Sequence, residues 1–123
     1  MQGDLRCLDA YVHLGRYHFA DGRSEWATRL AAKCYRAAVA VGERSFPAGF
    51  DGFLPWSWVD NRPFLRALHG LGLCHWRLGD LEGALEMFLR LLQLDPDDGI
   101  AARLLVPPVE ARQRYLDWAH RGR

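Results

Sequence analysis

Between Asp4 and Asp21 the apolar positions are Leu5, Leu8, Tyr11, Val12, Leu14 and Phe19, a helical rather than an alternating spacing. Gly22 stops the run, and Ser24 with Glu25 restarts it. From Ser24 to about Arg44 a second stripe is predicted from Trp26, Leu30, Ala31, Cys34, Ala37, Ala38 and Val41. Small residues dominate this stripe, so a neighbouring helix can approach closely. Ser45–Asn61 breaks the period with Pro, Gly and aromatic residues, which predicts a loop. Asn61 stands where an N-cap is expected and Pro63 falls in the first turn of a third helix, where its missing N–H costs nothing. That helix runs to about Leu78, Gly79-Asp80 turns, and a fourth runs from Leu81 to Leu94 before Asp95-Pro96. A short fifth helix is expected from Asp98, ended by Pro107-Pro108. A last one spans about Val109 to Arg121. No segment alternates like a strand, and the chain reads as all-α.

An internal echo sharpens this pattern. Shifted by 57 positions, Leu14 meets Leu71, Gly15 meets Gly72, His18 meets His75, Gly22 meets Gly79 and Ala27 meets Ala84. Each copy covers the end of one helix, a turn and the start of the next. Such a unit cannot bury its own apolar face and stacks on its copy. Gly72 and Ala84 are small where two helices must pass closely. A mid-helix Gly costs about 1 kcal/mol against Ala, and close packing offsets it.

These residues resemble the tetratricopeptide repeat, whose period is about 34 residues. The second copy supplies Leu68, Leu71, Gly72, His75, Ala84, Phe88, Leu91 and Pro96 at the expected places. The first keeps Tyr11, Leu14, Gly15 and Ala27 but has Ala31, Cys34 and Val39 where larger residues or Pro are usual. The resemblance implies an α-α superhelix in a single domain, with repeat 1 at about 8–41, an aromatic insertion at about 42–64, repeat 2 at about 65–98 and C-terminal capping helices at about 99–121. Pro55-Trp56 and Asp60–Arg66 further resemble a narrower group, tetratricopeptide-like proteins related to the suppressor of tumorigenicity seven family. Asp95–Arg103 keeps that group's Pro96, Asp98 and Arg103, loses both Asn residues and displaces the Gly.

Composition narrows the function classes. Of 123 residues, 16 are Lys or Arg and 15 Asp or Glu, a formal charge of +1 that argues against a dedicated nucleic-acid binder. The apolar runs are too short to cross a bilayer, and Met1–Arg6 lacks a secretory pattern. Cys7, Cys34 and Cys74 are odd in number and widely spaced, which predicts a reducing, cytoplasmic setting with all three as small core residues. The excess is aromatic: 5 Trp, 6 Phe and 4 Tyr.

No catalytic, cofactor or metal site is expected. His69 and His75 fall on different helix faces, and Cys74 points away from the adjacent His75. Gly70-Leu-Gly72 has no preceding strand and no Lys-Ser/Thr ending, so it is no phosphate loop. Glu82, Glu86 and Arg90 read as a solvated ladder, with Glu86 and Arg90 four apart. Asp60, Asn61, Arg62 and Arg66 form a polar knot that either closes the loop and caps the third helix or binds a ligand. Phe46, Phe50, Phe53, Trp56 and Trp58 are either buried against the convex side or the first repeat, or form an exposed association patch.

In arrays of these repeats the first helix of each lines a concave face. On this chain the resemblance implies Asp9, Val12, Arg16, Phe19 and Ala20, then Arg66, His69, Leu73, Trp76 and Arg77, with Arg103 from a truncated third unit. The expected partner-binding set is therefore Arg16, Phe19, Arg66, His69, Leu73, Trp76, Arg77 and Arg103. Arginine forks suit carboxylates, and Trp76 or Phe19 suits an apolar anchor. The Asn and Lys of the chaperone-tail carboxylate clamp are missing, so the implied ligand is another acidic peptide or partner segment. Self-association as a scaffold, through the aromatic insertion, is the alternative; an enzyme or metal-binding protein ranks third.

Overall fold

The computed structural model describes residues 2–21, 24–47, 50 and 52–121. Among them the helices are α1 (Gln2–Asp21), α2 (Glu25–Arg44), α3 (Arg62–Arg77), α4 (Leu81–Leu94), α5 (Val106–Glu110) and α6 (Tyr115–Ala119), with 3-10 turns at Val59–Asn61 and Ala102–Leu104 and no strand. The expected stop at Gly22 lies outside the described residues. Ser24, at the expected restart of the helical run, is the N-cap of α2, its hydroxyl oxygen accepting from the Ala27 amide at 3.1 Å. Asp80 does the same for α4, accepting from Gly83 at 3.0 Å.

Helices α1 and α2 pack as one pair and α3 and α4 as another, with α3 lying against both members of the first pair. The core follows from that central position. Leu65, Ala67, Leu68, Cys74 and Trp76 on α3 meet Leu8 and Val12 of α1, Ala31 and Ala38 of α2, and Phe88 and Leu91 of α4 in one buried cluster. The close approach expected at Gly72 is real, but its cause is a ring rather than a backbone. A Cβ there would collide with the Phe88 ring, which is wholly buried.

The buried face of α2 is rotated from the predicted one. Ala27, Thr28, Ala31, Ala32, Tyr35, Ala38, Val39 and Gly42 face inward, whereas Trp26 is 72% exposed. Sequence periodicity could not choose between two adjacent apolar stripes on one helix. Helix α1 is likewise apolar on two sides: Leu8 and Val12 are buried, but Tyr11, Leu14 and Tyr17 face solvent.

Four further expectations are corrected. Pro107-Pro108 lies inside the first turn of α5 instead of ending a helix, since Pro is tolerated where N–H groups are unpaired. The single last helix is two, α5 and α6, separated at Arg112, which has φ 59°. Cys74 is buried and Cys34 partly so, but Cys7 is exposed and no core residue. The Glu86–Arg90 ladder is absent: Arg90 pairs with Glu43 of α2, and Glu82 with Arg112. Tertiary partners replaced the local one.

The insertion is divided. Phe46 stacks on Phe50 at 5.0 Å and meets Phe64 edge-on at 5.1 Å, and the Leu54 amide donates to the Leu94 carbonyl at 2.7 Å, fixing the loop to the end of α4. Phe53 and Trp58 are 66% and 71% exposed.

Candidate functional site

A groove of about 540 Å³ opens between the two helix pairs, lined by Arg16, Phe19, Ala20, Tyr35, Trp56, Arg66, His69, Gly70, Leu73 and Ile100. Its two long walls are α1 and α3. The floor is Tyr35, whose ring fits where Gly15 and Gly70 carry no side chain; a Cβ at either would strike it. Burial pushes the Tyr35 hydroxyl well up, opposed by the nearby positive charge of Arg16. The phenol is therefore neutral throughout the physiological range.

Trp56 closes one end of the groove, and its position is built by the polar knot. Arg62 donates from Nε to the Trp56 carbonyl at 2.8 Å, and Asn61 from Nδ2 to the Pro55 carbonyl at 3.0 Å. The guanidiniums of Arg62 and Arg66 lie 4.9 and 5.2 Å from the indole centroid, close enough for cation–π attraction. Asn61 thus spends its side chain on the loop and makes no capping bond to α3. Ile100 arrives on the loop after α4. There the buried Asp98 carboxylate accepts from the amides of Ala102 at 2.7 Å and Arg103 at 3.0 Å and pairs with the Arg103 guanidinium at 3.1 Å.

The structure brings Arg16, Phe19, Arg66, His69 and Leu73 together in this groove, and places the other three expected residues elsewhere. Trp76 is 1% exposed; its indole N–H donates to the Gln113 carbonyl at 2.7 Å under the C-terminal segment. Arg77 donates to the Phe19 carbonyl at 3.1 Å and to Thr28 Oγ1 at 3.4 Å, its guanidinium 3.6 Å from the Phe19 centroid. It ties α3 to the end of α1 and the start of α2. Arg103 serves the Asp98 turn. Of the remaining concave positions, Val12 is core and Asp9 lies 3.4 Å from His13.

Arg16 makes no hydrogen bond or ion pair within the described residues, and Arg66 engages only the Trp56 ring. Two cations therefore face a mainly apolar groove without a carboxylate partner. His69 lines the same groove, its ring 6.2 Å from that of the buried Phe88. Burial lowers its pKa, and the Asp98 carboxylate partly opposes that shift. Burial pushes the Cys74 thiol up to about 12 and raises Cys34 as well, so neither is an activated nucleophile. Among the described residues no cluster of three His, Cys, Asp or Glu side chains could hold a metal.

Tyr35, Trp56 and Ile100 were missed by reasoning from the first helix of each repeat alone. Gly15 and Gly70, one on each flanking helix, were the available signal for Tyr35. The Asn61, Arg62 and Arg66 cluster was the signal for Trp56.

Residues 65–98 match the family model of the tetratricopeptide repeat. They span α3, the turn and α4, the unit whose first helix forms one wall of the groove. The all-helical stack of two helix pairs is consistent with a tetratricopeptide-like α-α superhelix. Tetratricopeptide repeats generally mediate contacts between proteins. No curated protein and no solved structure gives a significant match to the chain. No helix among the described residues is long and apolar enough to cross a membrane.

Proposed function

We propose that this chain is a non-enzymatic interaction module that binds an acidic peptide or partner segment in the groove between α1 and α3. The observation that carries the proposal is the pair of cations without a carboxylate partner, Arg16 and Arg66, on opposite walls of a groove whose apolar lining includes Phe19, Trp56, Leu73 and Ile100. A carboxylate gains charge-assisted hydrogen bonds from arginine, and an apolar neighbour gains from leaving water. The tetratricopeptide repeat at residues 65–98 supports a protein partner over a small molecule. Free cysteines suit a cytoplasmic setting. The narrower likeness to proteins related to the suppressor of tumorigenicity seven family rests on the sequence alone and names no ligand.

The test is fluorescence anisotropy with a labelled Glu-rich peptide carrying one Trp. The intact chain should bind it, and Arg16→Glu with Arg66→Glu should weaken binding about tenfold or more. Added salt should weaken the wild-type complex through screening. An unchanged affinity in the double variant would sink the proposal.

A second reading is favoured by the exposed Phe53, Trp58 and Val59 of the insertion, which suit self-association of a scaffold. Light scattering decides it: a concentration-independent monomer is incompatible with that reading.

A further inference from the structure

Phe19 and Trp76 stand at equivalent places in the two repeats, 57 positions apart. Both are covered by the same short piece of chain. Tyr115 meets Phe19 edge-on at 5.7 Å and Trp76 edge-on at 5.4 Å. Trp118 lies 5.0 Å from Trp76. The Gln113 carbonyl takes the Trp76 indole proton, and the Arg77 guanidinium lies 4.9 Å from the Tyr115 ring. The C-terminal segment thus lies over the end of the concave face where both repeats present an aromatic ring.

The segment is held by those ring contacts and the Gln113 bond, with little support from its own helix. Helix α6 has five residues and no side-chain N-cap bond. Its Arg114–Asp117 pair is exposed, as is Leu116, so these side chains add little to docking. Two cavities flank it. One of about 260 Å³ lies between residues 112–116 and the end of α3. Another of about 200 Å³ lies between Tyr115, Leu116, Ala119 and His120 and the Phe19, Ala20 and Arg77 side. Both are clefts open to solvent, so the edges of the segment are reached by water, and a short terminal segment of this kind opens more easily than the long helices beneath it. Arg112, with its left-handed backbone, marks where the chain turns into the segment.

We propose that residues 113–121 are a built-in ligand, filling an aromatic subsite formed by Phe19, Trp76 and Arg77, and that a partner segment with its own aromatic residue displaces them. The inference rests on the groove reading above and extends it. The displaced pair, Tyr115 and Trp118, shows the spacing the subsite takes: two aromatic residues one helical turn apart. Arg16 and Arg66 add a carboxylate on the side that enters the open groove. The partner is therefore an acidic segment ending in an aromatic pair, and its apparent affinity is reduced by the fraction of time the subsite is already filled.

The experiment uses the full chain and a fluorescent peptide with the sequence of residues 112–121. Tyr115→Ala with Trp118→Ala empties the subsite, and this variant should bind the probe at least about tenfold more tightly than wild type. The same probe with both aromatics changed to Ala should bind neither protein. Equal affinity for wild type and variant, or binding indifferent to the aromatics, would overturn the inference. Should the variant unfold, the wild-type chain decides the matter by NMR of the Trp76 indole proton during titration with the Glu-rich, Trp-bearing peptide. Loss of the Gln113 bond and of the Trp118 ring should shift that signal. An unmoved indole while signals of Arg16 and Arg66 shift would overturn displacement and leave the groove reading intact. No shift anywhere would remove the groove reading, and the self-derived probe would then decide the subsite alone.

Discussion

Leu14 and Leu71 occupy the same place in the two repeats, yet Leu14 is 49% exposed and Leu71 only 5%. The difference comes from position in the stack, since α3 lies against α1, α2 and α4 while α1 packs mainly against α2 and α3. Phe19 and Trp76 diverge in the same way: both meet Tyr115 of the C-terminal segment, but Phe19 also lines the groove while Trp76 is sealed beneath the segment. Repeat symmetry thus assigns a residue to a face of its helix. What that face meets is decided by neighbours that the repeat does not encode.

The largest expected effect follows from this asymmetry. Leu71→Ala should lower unfolding free energy by about 2–5 kcal/mol, and Leu14→Ala by less than about 1 kcal/mol, in urea titrations. Equal costs would mean that the two repeats are packed alike. Gly72→Ala comes next, because its methyl would meet the buried Phe88 ring; a loss of about 1–3 kcal/mol is expected in thermal or urea unfolding.

Arg77 and Arg66 offer a finer contrast. Arg77 bonds to the Phe19 carbonyl and Thr28, so Arg77→Ala should cost about 1.5–3 kcal/mol. Arg66→Ala should shift stability by about 0.5 kcal/mol or less while weakening the acidic peptide. If Arg66 proved the more destabilising of the two, its assignment to the groove would be wrong.

The smallest effect concerns pH. The lowered folded-state pKa of His69 means that protonation favours the unfolded chain. The stability held by its neutral form is complete above the unfolded value of about 6.5 and declines as pH falls from there towards the lower folded value. His69→Gln should flatten that slope in urea midpoints measured between about pH 5 and pH 7. A slope unchanged by the substitution would assign it to other groups.

Much of this was legible beforehand. Ser24, Pro63, Gly79-Asp80 and Asp95-Pro96 punctuate the long helices, because capping and turn chemistry is local, whereas the Asn61 side chain goes to the loop and caps nothing. The 57-residue echo gave the pairing of helices, because small residues at Gly72 and Ala84 are a packing requirement. The parts that depend on tertiary choice were not legible. Trp26 and Tyr35 each continue an apolar stripe on α2, and only docking against α1 and α3 selects Tyr35. Arg16, Arg66, Arg77 and Arg103 look alike in sequence, whereas two are held by the Phe19 carbonyl and the Asp98 carboxylate. Pro107-Pro108 reads equally well as a stop or a start until the preceding turn is known.

The most direct test of the central claim is a two-dimensional NMR titration of the intact, isotope-labelled chain with the Glu-rich, Trp-bearing peptide. The account predicts shifts concentrated at Arg16, Phe19, Trp56, Arg66, His69 and Leu73. Shifts confined to Tyr11, Leu14 and Tyr17 on the outer face of α1, or to Phe53 and Trp58 in the insertion, would contradict it.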